Sequence, residues 1–312
     1  MVQLKAIVTE QRNPATLEID RADTAEILRL MNAEDQKVAL AVERVLPQIT
    51  QAVDLIYRQV SAGGRLVYCG CGTSGRLGVL DASECPPTFG VEPGRVVGVI
   101  AGGPNALMNA AEGAEDDAAA GEADLRALDF SAGDVLVGIA ASGRTPYVLG
   151  AMAYARGLGA PVIGLTCCPG SEIDTAADVG IAPQPGPEVV TGSTRLKSGT
   201  AQKLVLNMLS TATMIKMGKV YSNLMVDVCA SNQKLVARAV SIVRSAAGVD
   251  EETALGALRQ ADFSCKMAIV MLLCGVDADR ARALLDGMNG HVSDAIRSLP
   301  DGARADAQAR TL

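Results

Sequence analysis

Residues 66–78 read Leu66-Val67-Tyr68-Cys69-Gly70-Cys71-Gly72-Thr73-Ser74-Gly75-Arg76-Leu77-Gly78, an apolar strand that leads into a glycine-rich turn and then opens a helix. Glycines let backbone N–H groups come close to an anion, and the two hydroxyls of the turn add further donors. The N-terminus of the following helix also favours negative charge. The stretch therefore predicts a phosphate-binding loop after a buried strand.

The same pattern occurs a second time. The run Asp134-Val135-Leu136-Val137-Gly138-Ile139-Ala140 leads into Ala141-Ser142-Gly143-Arg144-Thr145-Pro146 and then into another helical stretch. The repetition predicts one pocket built from two loops at one sheet edge. A hydroxyl in each copy, from Ser74 and Ser142, suits a terminal phosphate monoester.

Short apolar strands alternate with helical stretches, which is typical of a doubly wound parallel α/β sheet with ligands at the carboxyl ends of its strands. We expect strands at 65–70, 95–101, 134–140 and 161–166, and a short apolar segment near 178–182. We expect helices from about 75 and over 104–120, 145–158 and 199–217, with N-terminal helices between 13 and about 60.

Three parts of the chain differ in pattern. Residues 1–240 are expected to form the α/β domain with its N-terminal helices, and residues 241–300 a small helical domain. The helices of the small domain are expected at 251–261, 264–273 and 277–286, with a final segment at 290–298. Residues 301–312 are expected to be a polar, frayed tail.

Composition excludes several classes of protein. Of 312 residues, 49% are apolar and 20% charged, which supplies a large core. A net charge of -7, no Trp and 3% aromatic residues disfavour nucleic-acid binding. No uncharged apolar run is long enough for a membrane span, and residues 1–10 lack the features of a signal peptide. We therefore expect a cytoplasmic protein without a membrane or nucleic-acid partner.

The cysteines are not spaced as a metal site or a disulfide framework. They occupy positions 69, 71, 85, 167, 168, 229, 265 and 274, mostly in apolar contexts, and the lone His291 is far from the first pair. We expect reduced core thiols and no bound metal. Cys85, beside Glu84, is the one thiol whose reactivity is worth testing.

The first loop also matches G-x-G-x-x-G, the fingerprint of dinucleotide-binding proteins. Such a site needs an acidic residue at the end of the next strand to hold the ribose, but that strand ends in Gly102-Gly103. A sugar phosphate is therefore favoured over NAD. Tight turns that bind no ligand remain the structural alternative for both loops.

Two carboxylates are candidates for acid–base chemistry. Glu84 is expected at the end of the first loop's helix, just before Pro86-Pro87, where it would oppose the helix dipole. A solvated glutamate fits that position equally well. On the expected helix 104–120, periodicity favours Glu115 as the carboxylate nearest the apolar stripe, although a surface acidic cluster is the simpler interpretation.

Taken together, these motifs resemble those of a known family. The resemblance rests on motifs that run through nearly the whole chain: residues 72–88, 101–103, 112–116, 138–147, 190–193, 197, 199–210 and 223–228. The family is that of the N-acetylmuramic acid 6-phosphate etherases, bacterial enzymes of cell-wall sugar recycling with a sugar-isomerase (SIS) domain.

The resemblance implies cleavage of the D-lactyl ether of N-acetylmuramic acid 6-phosphate, without metal or nucleotide, by elimination and then addition of water. By position, Glu84 matches the family's acid and Glu115 its second carboxylate, the base at carbon 2. The C-terminal helices resemble a small ubiquitin-associated-like (UBA-like) bundle, and family members resemble dimers with shared sites.

The resemblance also assigns the pocket. The expected phosphate ligands are Thr73, Ser74, Ser142 and Thr145. Further pocket candidates are Gly72, Gly75, Arg76 and Gly143 of the loops, and Ser193, Thr194 and Lys197. A sugar-phosphate-binding regulator without catalysis and a sugar-phosphate isomerase remain the alternative functions.

Overall fold

The computed structural model describes residues 8–228 and 232–299. Its centre is a five-stranded parallel sheet in the order β2-β1-β3-β4-β5. The strands are β1 (Leu66–Gly70), β2 (Val96–Ile100), β3 (Val135–Ile139), β4 (Val162–Leu165) and β5 (Val179–Ile181). Every residue of β1, β3 and β4 is buried, as expected for strands covered by helices on both faces. The predicted α/β fold class is confirmed.

Helices precede the sheet and connect its strands. They are α1 (Thr24–Asp35), α2 (Lys37–Glu43), α3 (Leu46–Ser61), α4 (Gly72–Phe89), α5 (Ala118–Ala127), α6 (Pro146–Gly157), α7 (Glu172–Ala176) and α8 (Lys197–Lys216). The apolar face of α3 explains its place in the core, since Ile49, Val53, Ile56 and Val60 follow helical spacing and are all buried.

The expected helix over 104–120 is wrong. Two short 3-10 turns, Pro104–Leu107 and Ala114–Asp116, take its place, and α5 begins only at Ala118. Gly113, inside the expected span, adopts a positive φ of 75°, which interrupts a right-handed helix. The Asp117 side chain then accepts a hydrogen bond from the Ala120 N–H and caps the start of α5.

The expected end of α4 before the double proline is also wrong. The helix starts at Gly72 rather than near 75 and continues through Pro86 and Pro87 to Phe89. Proline has a helical φ but no N–H, so each proline costs one helical hydrogen bond. The turn is completed beyond them by the Gly90 N–H, which donates to the Pro86 carbonyl at 2.9 Å. Burial of Cys85 and Phe89, four residues apart, favours keeping this segment helical.

The chain forms two compact units. Unit 1 contains Met1–Ser83 and Gly94–Thr211, and unit 2 contains Glu84–Pro93 and Ala212–Leu312. This division differs from the expected boundary at 240/241, because residues before that point belong to the C-terminal core: Val226, Val228 and α9 (Gln233–Ala247) pack there. Unit 1 has its own core between the sheet and α6, where Leu136, Tyr147 and Met152 are buried together.

Unit 2 also contains a two-stranded antiparallel hairpin that sequence analysis did not predict. Its strands are β6 (Val220–Tyr221) and β7 (Leu224–Met225). The remaining helices are α10 (Glu251–Gln260), α11 (Cys265–Cys274), α12 (Ala278–Gly287) and α13 (Val292–Arg297), within one or two residues of the expected bounds. Asp250, Ser264 and Asp277 cap three of them through side-chain oxygens. The expected tail at 301–312 and Cys229 lie outside the described residues.

No helix in the described part of the chain is long and apolar enough to cross a membrane. Within residues 8–228 and 232–299, no three or more His, Cys, Asp or Glu side chains are grouped as metal ligands would be. Cys69, Cys167 and Cys265 are buried thiols outside any disulfide, and Cys85 is 2% exposed, which favours a packing role for it.

Candidate active site

The two glycine-rich loops lie at the same sheet edge. β1 and β3 are parallel neighbours, and Gly70 at the end of β1 pairs with Ile139 at the end of β3. The chain that follows each strand therefore emerges at the carboxyl edge, as in other open parallel sheets. The fold thus brings the two repeated motifs together.

Between the loops lies a cavity of about 330 Å³, the phosphate cavity. Its lining includes the four expected phosphate ligands, Thr73, Ser74, Ser142 and Thr145. Gly72, Thr194, Glu10, Cys71, Glu115, Ile139, Ala140 and Ala141 also line it. Hydroxyl groups from two strand ends therefore face one space of the size of a small-ligand site.

Helix α4 supplies backbone donors to this cavity. Gly72, Thr73 and Ser74 form its first turn, where N–H groups have no partner within the helix and the dipole is positive. Gly72 has a φ of 51°, which favours glycine there. Gly75, expected in the pocket, instead allows β1 and α4 to approach each other closely. A Cβ at this position would lie 2.6 Å from the Gly70 carbonyl oxygen.

The second loop is built in the same way. Gly143 has a φ of 69° and its N–H donates to the Ala140 carbonyl, which closes the turn that presents Ser142. A Cβ on Gly143 would lie 2.0 Å from Ser171 Oγ, so no other residue fits. Gly143 shapes the loop and, contrary to expectation, does not line the cavity.

The Ser74 hydroxyl is held in a buried pair. Its Oγ donates to Gln202 Oε1 of α8 at 2.9 Å, and the Gln202 Nε2 has no hydrogen-bond partner within the described part of the chain. The two amide atoms of a glutamine exchange places on rotation, so Nε2 can instead donate to Ser74 Oγ and leave the serine proton for a ligand. Sequence analysis did not identify Gln202, because only the packing of α8 against α4 brings it there.

A second, smaller cavity adjoins the first. It has a volume of about 230 Å³ and shares Cys71, Gly72 and Glu115 with the phosphate cavity. Its other lining residues are Arg76, Ala101, Ala106, Ala110, Ala111, Glu112, Gly113 and Ala114. We call it the alanine cavity. Glu115 thus lies where the two cavities meet, although it sits on a 3-10 turn and not on the helix from which its position was predicted.

The Cys71 thiol lies beside Glu115 where the two cavities meet, and its pKa is raised there. Burial, followed by the nearby Glu115 carboxylate, raises the pKa of Cys71 to about 12. The thiol therefore stays protonated at neutral pH and is a poor nucleophile there.

Glu10 is a further carboxylate of the phosphate cavity that sequence analysis missed. The segment that carries it is tied to the chain before α8. Asn13 Nδ2 donates to the Pro187 carbonyl at 3.1 Å, and Thr16 Oγ1 donates to the Val189 carbonyl at 2.9 Å. These contacts join residues more than 170 positions apart, so no local pattern could have indicated them.

The three pocket candidates at the start of α8 and just before it differ in position. Thr194 lines the phosphate cavity, whereas Ser193 and Lys197 do not. Lys197 is 1% exposed, and its Nζ contacts Glu34 and donates to the Pro185 carbonyl at 2.9 Å. A lysine held by a buried carboxylate is a structural tie, which corrects its expected place in the pocket wall.

Glu84 belongs to unit 2, whereas every residue that lines the two cavities belongs to unit 1. Its side chain is exposed and lies within α4, five residues before the helix ends. The neighbouring Asp81 is a contrasting carboxyl of unit 1. Asp81 is buried and accepts hydrogen bonds from Tyr68, Asn207 and Ser210, so it holds α8 and β1 against α4.

Known proteins match the chain along its length. Residues 48–156 match the N-terminal SIS domain of glucokinase regulatory protein, residues 115–212 the SIS domain family, and residues 222–269 the C-terminal lid domain of glucokinase regulatory protein.

Two relatives are similar over almost their whole length. An N-acetylmuramic acid 6-phosphate etherase of Aeromonas hydrophila is 59% identical over 94% of this chain and 98% of its own. One of Serratia proteamaculans is 59% identical over 95% and 99%. Among solved structures, phosphoheptose isomerase GmhA of Neisseria gonorrhoeae covers 61% of this chain and 99% of its own, at 23% identity and a TM-score of 0.47.

Proposed function

Because the chain belongs to the N-acetylmuramic acid 6-phosphate etherase family, we propose that it cleaves the D-lactyl ether of N-acetylmuramic acid 6-phosphate. The products are N-acetylglucosamine 6-phosphate and D-lactate, and the chain is an enzyme of the carbon–oxygen lyase type. The observation that carries this conclusion is 59% identity over 94% of the chain to an etherase of nearly equal extent.

The chemistry requires an acid and a base. In the open-chain sugar, the aldehyde at carbon 1 acidifies the proton on carbon 2, so that a carboxylate can remove it. The ether oxygen on carbon 3 is a poor leaving group at neutral pH and needs a proton as it departs. Water then adds to the unsaturated aldehyde at carbon 3, and a proton returns to carbon 2.

We assign the base at carbon 2 to Glu115. Its place where the two cavities meet supports this role, because there it can reach carbon 2, beside the ether-bearing carbon 3, of a sugar whose 6-phosphate occupies the phosphate cavity. Glu84 is the proposed acid at the ether oxygen and later activates the water. Its support is the match of residues 72–88 to the family motif.

We assign the phosphate to Thr73, Ser74, Ser142 and Thr145, with help from the first N–H groups of α4. The cavity that these hydroxyls share supports this assignment. Binding energy from the phosphate, remote from the reacting carbons, then holds carbons 2 and 3 in place for the carboxylates. Thr194 and Glu10 contribute further polar groups to the lining of this cavity.

The setting of the enzyme follows from its substrate. We propose that the protein works in the cytoplasm, in the recycling of cell-wall sugars, as a homodimer. These statements rest on the family resemblance and on the chemistry of the substrate, which is a phosphorylated amino sugar of the cell wall.

One experiment separates this function from its alternative. The matches to glucokinase regulatory protein favour a sugar-phosphate-binding regulator as the second candidate. Pure protein is incubated with N-acetylmuramic acid 6-phosphate, and D-lactate is measured. An etherase releases lactate in proportion to enzyme and time. A regulator binds the sugar phosphate and releases none, which would overturn the proposal.

A further inference from the structure

We propose that the alanine cavity receives the lactyl group of the substrate and that Arg76 binds its carboxylate. This inference rests on the proposed function, because only a substrate with a lactyl ether carries that group. It makes Arg76 the residue that selects a free lactyl carboxylate.

The size and position of the cavity suit part of a ligand. Whole-ligand sites are about 300–1,000 Å³, whereas the alanine cavity has about 230 Å³ and adjoins the phosphate cavity through Cys71, Gly72 and Glu115. A sugar phosphate anchored at Ser74 and Ser142 can therefore extend a small substituent past Glu115 into it.

The walls suit a short apolar group. Five alanines line the cavity: Ala101, Ala106, Ala110, Ala111 and Ala114. Their methyl groups are drawn together around Gly102, where a Cβ would lie 2.7 Å from the Ala111 Cβ and 3.3 Å from the Ala106 Cβ. The methyl group of a lactyl ether can be buried against this surface without displacing a polar partner.

Arg76 supplies the charge and is already oriented. Its Nε donates to the Leu107 carbonyl and its Nη2 to the Asn109 carbonyl, both at 3.0 Å. These bonds fix the guanidinium against the turn between Ala106 and Ala110, both of which line the cavity. They use two of its five N–H groups along one edge. The remaining edge, formed by Nη1 and the second hydrogen of Nη2, can hold a carboxylate through two parallel hydrogen bonds.

The balance of charge favours the same residue. Among the described residues that line the two cavities, Arg76 is the one cation, while Glu10, Glu112 and Glu115 are carboxylates. The substrate carries a lactyl carboxylate in addition to its phosphate. Beside Glu112 and Glu115, that negatively charged group needs a positive charge to offset the repulsion. Arg76 provides it, and because its charge is fixed, selection should not depend on pH near neutrality.

The second Ser-Gly-Arg copy provides a matched control. Arg144 occupies the same motif position as Arg76 but is exposed, lies 4.0 Å from Glu172, and lines neither cavity. Arg76→Gln and Arg144→Gln therefore make the same chemical change in two repeats of one motif. Only the first removes a charge from the alanine cavity.

The test compares three ligands: N-acetylmuramic acid 6-phosphate, the same molecule with its lactyl carboxylate converted to a carboxamide, and N-acetylglucosamine 6-phosphate. The wild-type protein should show a kcat/KM about 10- to 150-fold higher for the free acid than for the carboxamide, the range of a charge-assisted hydrogen bond. Arg76→Gln should abolish this preference and bind N-acetylglucosamine 6-phosphate, which has no lactyl group, as the wild type does. Arg144→Gln should retain the preference.

Two results would overturn the inference. One is a wild-type protein that forms N-acetylglucosamine 6-phosphate equally fast from the acid and from the carboxamide, a result that needs no variant to fold. The other is an Arg76→Gln variant whose affinity for N-acetylglucosamine 6-phosphate falls as far as its affinity for N-acetylmuramic acid 6-phosphate. That result would assign Arg76 to the phosphate or the acetamido group. Failure of the proposed function is a separate result, since the wild type would then release no lactate from the free acid.

Discussion

Removing the Ser74 hydroxyl should change stability and binding by separate routes. In Ser74→Ala, Gln202 loses the hydroxyl at 2.9 Å, and because its Nε2 already lacks a partner the whole amide is left unsatisfied. A buried polar group without a partner costs about 1–3 kcal/mol. With an unfolding entropy of about 2.1 cal/mol/K per residue over 312 residues, that lowers Tm by roughly 2–5 °C. Loss of one hydrogen bond to a charged phosphate costs about 1.5–3 kcal/mol, or about 10- to 150-fold in Kd.

A double variant separates the two effects. In Ser74→Ala with Gln202→Met, both polar partners are replaced by apolar groups, which can be close to neutral for stability. The double variant should therefore recover most of the lost Tm but none of the lost affinity for phosphate. Ser83→Ala is the matched control on the same helix, because its hydroxyl is exposed and donates only to the Leu80 carbonyl.

The measurements are thermal unfolding and calorimetric binding of N-acetylglucosamine 6-phosphate, a product that is not consumed. Unchanged affinity in Ser74→Ala would show that this hydroxyl does not bind the phosphate. An unchanged Tm would show that its pairing with Gln202 contributes nothing. Recovery of affinity in the double variant would mean that the single variant failed through misfolding, and the assignment of the phosphate to this loop would be refuted.

Three further predictions concern the two glutamates, Cys71 and Asp134. Glu84→Gln and Glu115→Gln should each lower lactate release by at least 100-fold and keep affinity for N-acetylglucosamine 6-phosphate; substantial turnover in either would remove that residue from the mechanism. Because the pKa of Cys71 is raised to about 12, its alkylation rate should rise steadily between about pH 8 and 10, and a plateau near the ordinary value of about 8.5 would contradict its burial. Burial alone would raise the pKa of Asp134, but hydrogen bonds from Arg65 hold that pKa below its usual value. The pair therefore stabilises the fold above about pH 4, and this stabilisation is lost as the pH falls through the lowered pKa. Asp134→Asn should cost about 1.5–3 kcal/mol in thermal unfolding at pH 7 and flatten the acid dependence; equal acid sensitivity of both proteins would contradict this.

The sheet and the loops could be predicted from sequence because their signals are local. β1 and β3 are short apolar runs that end in glycine-rich turns. Their observed bounds differ from the expected ones by no more than one residue at either end. Ser74 and Ser142 then meet because parallel neighbours end at the same edge.

The remaining parts depend on backbone conformation or on distant contacts. The helix over 104–120 is interrupted at Gly113, which takes a positive φ that a periodic pattern does not reveal. Glu10 and Gln202 reach the site through packing between segments far apart in the chain, as Ser74 and Gln202, 128 positions apart, demonstrate. Lys197 was misplaced because its partner Glu34 lies 163 positions away.

The most direct measurement follows the oxygen atoms of the reaction. The purified protein is given N-acetylmuramic acid 6-phosphate in water enriched in ¹⁸O and deuterium, and both products are analysed by mass spectrometry. Elimination at carbon 3 followed by addition of water predicts ¹⁸O at carbon 3 and deuterium at carbon 2 of N-acetylglucosamine 6-phosphate, with no ¹⁸O at the hydroxyl of lactate. Label at that lactate hydroxyl, or cleavage without exchange at carbon 2, would contradict the account.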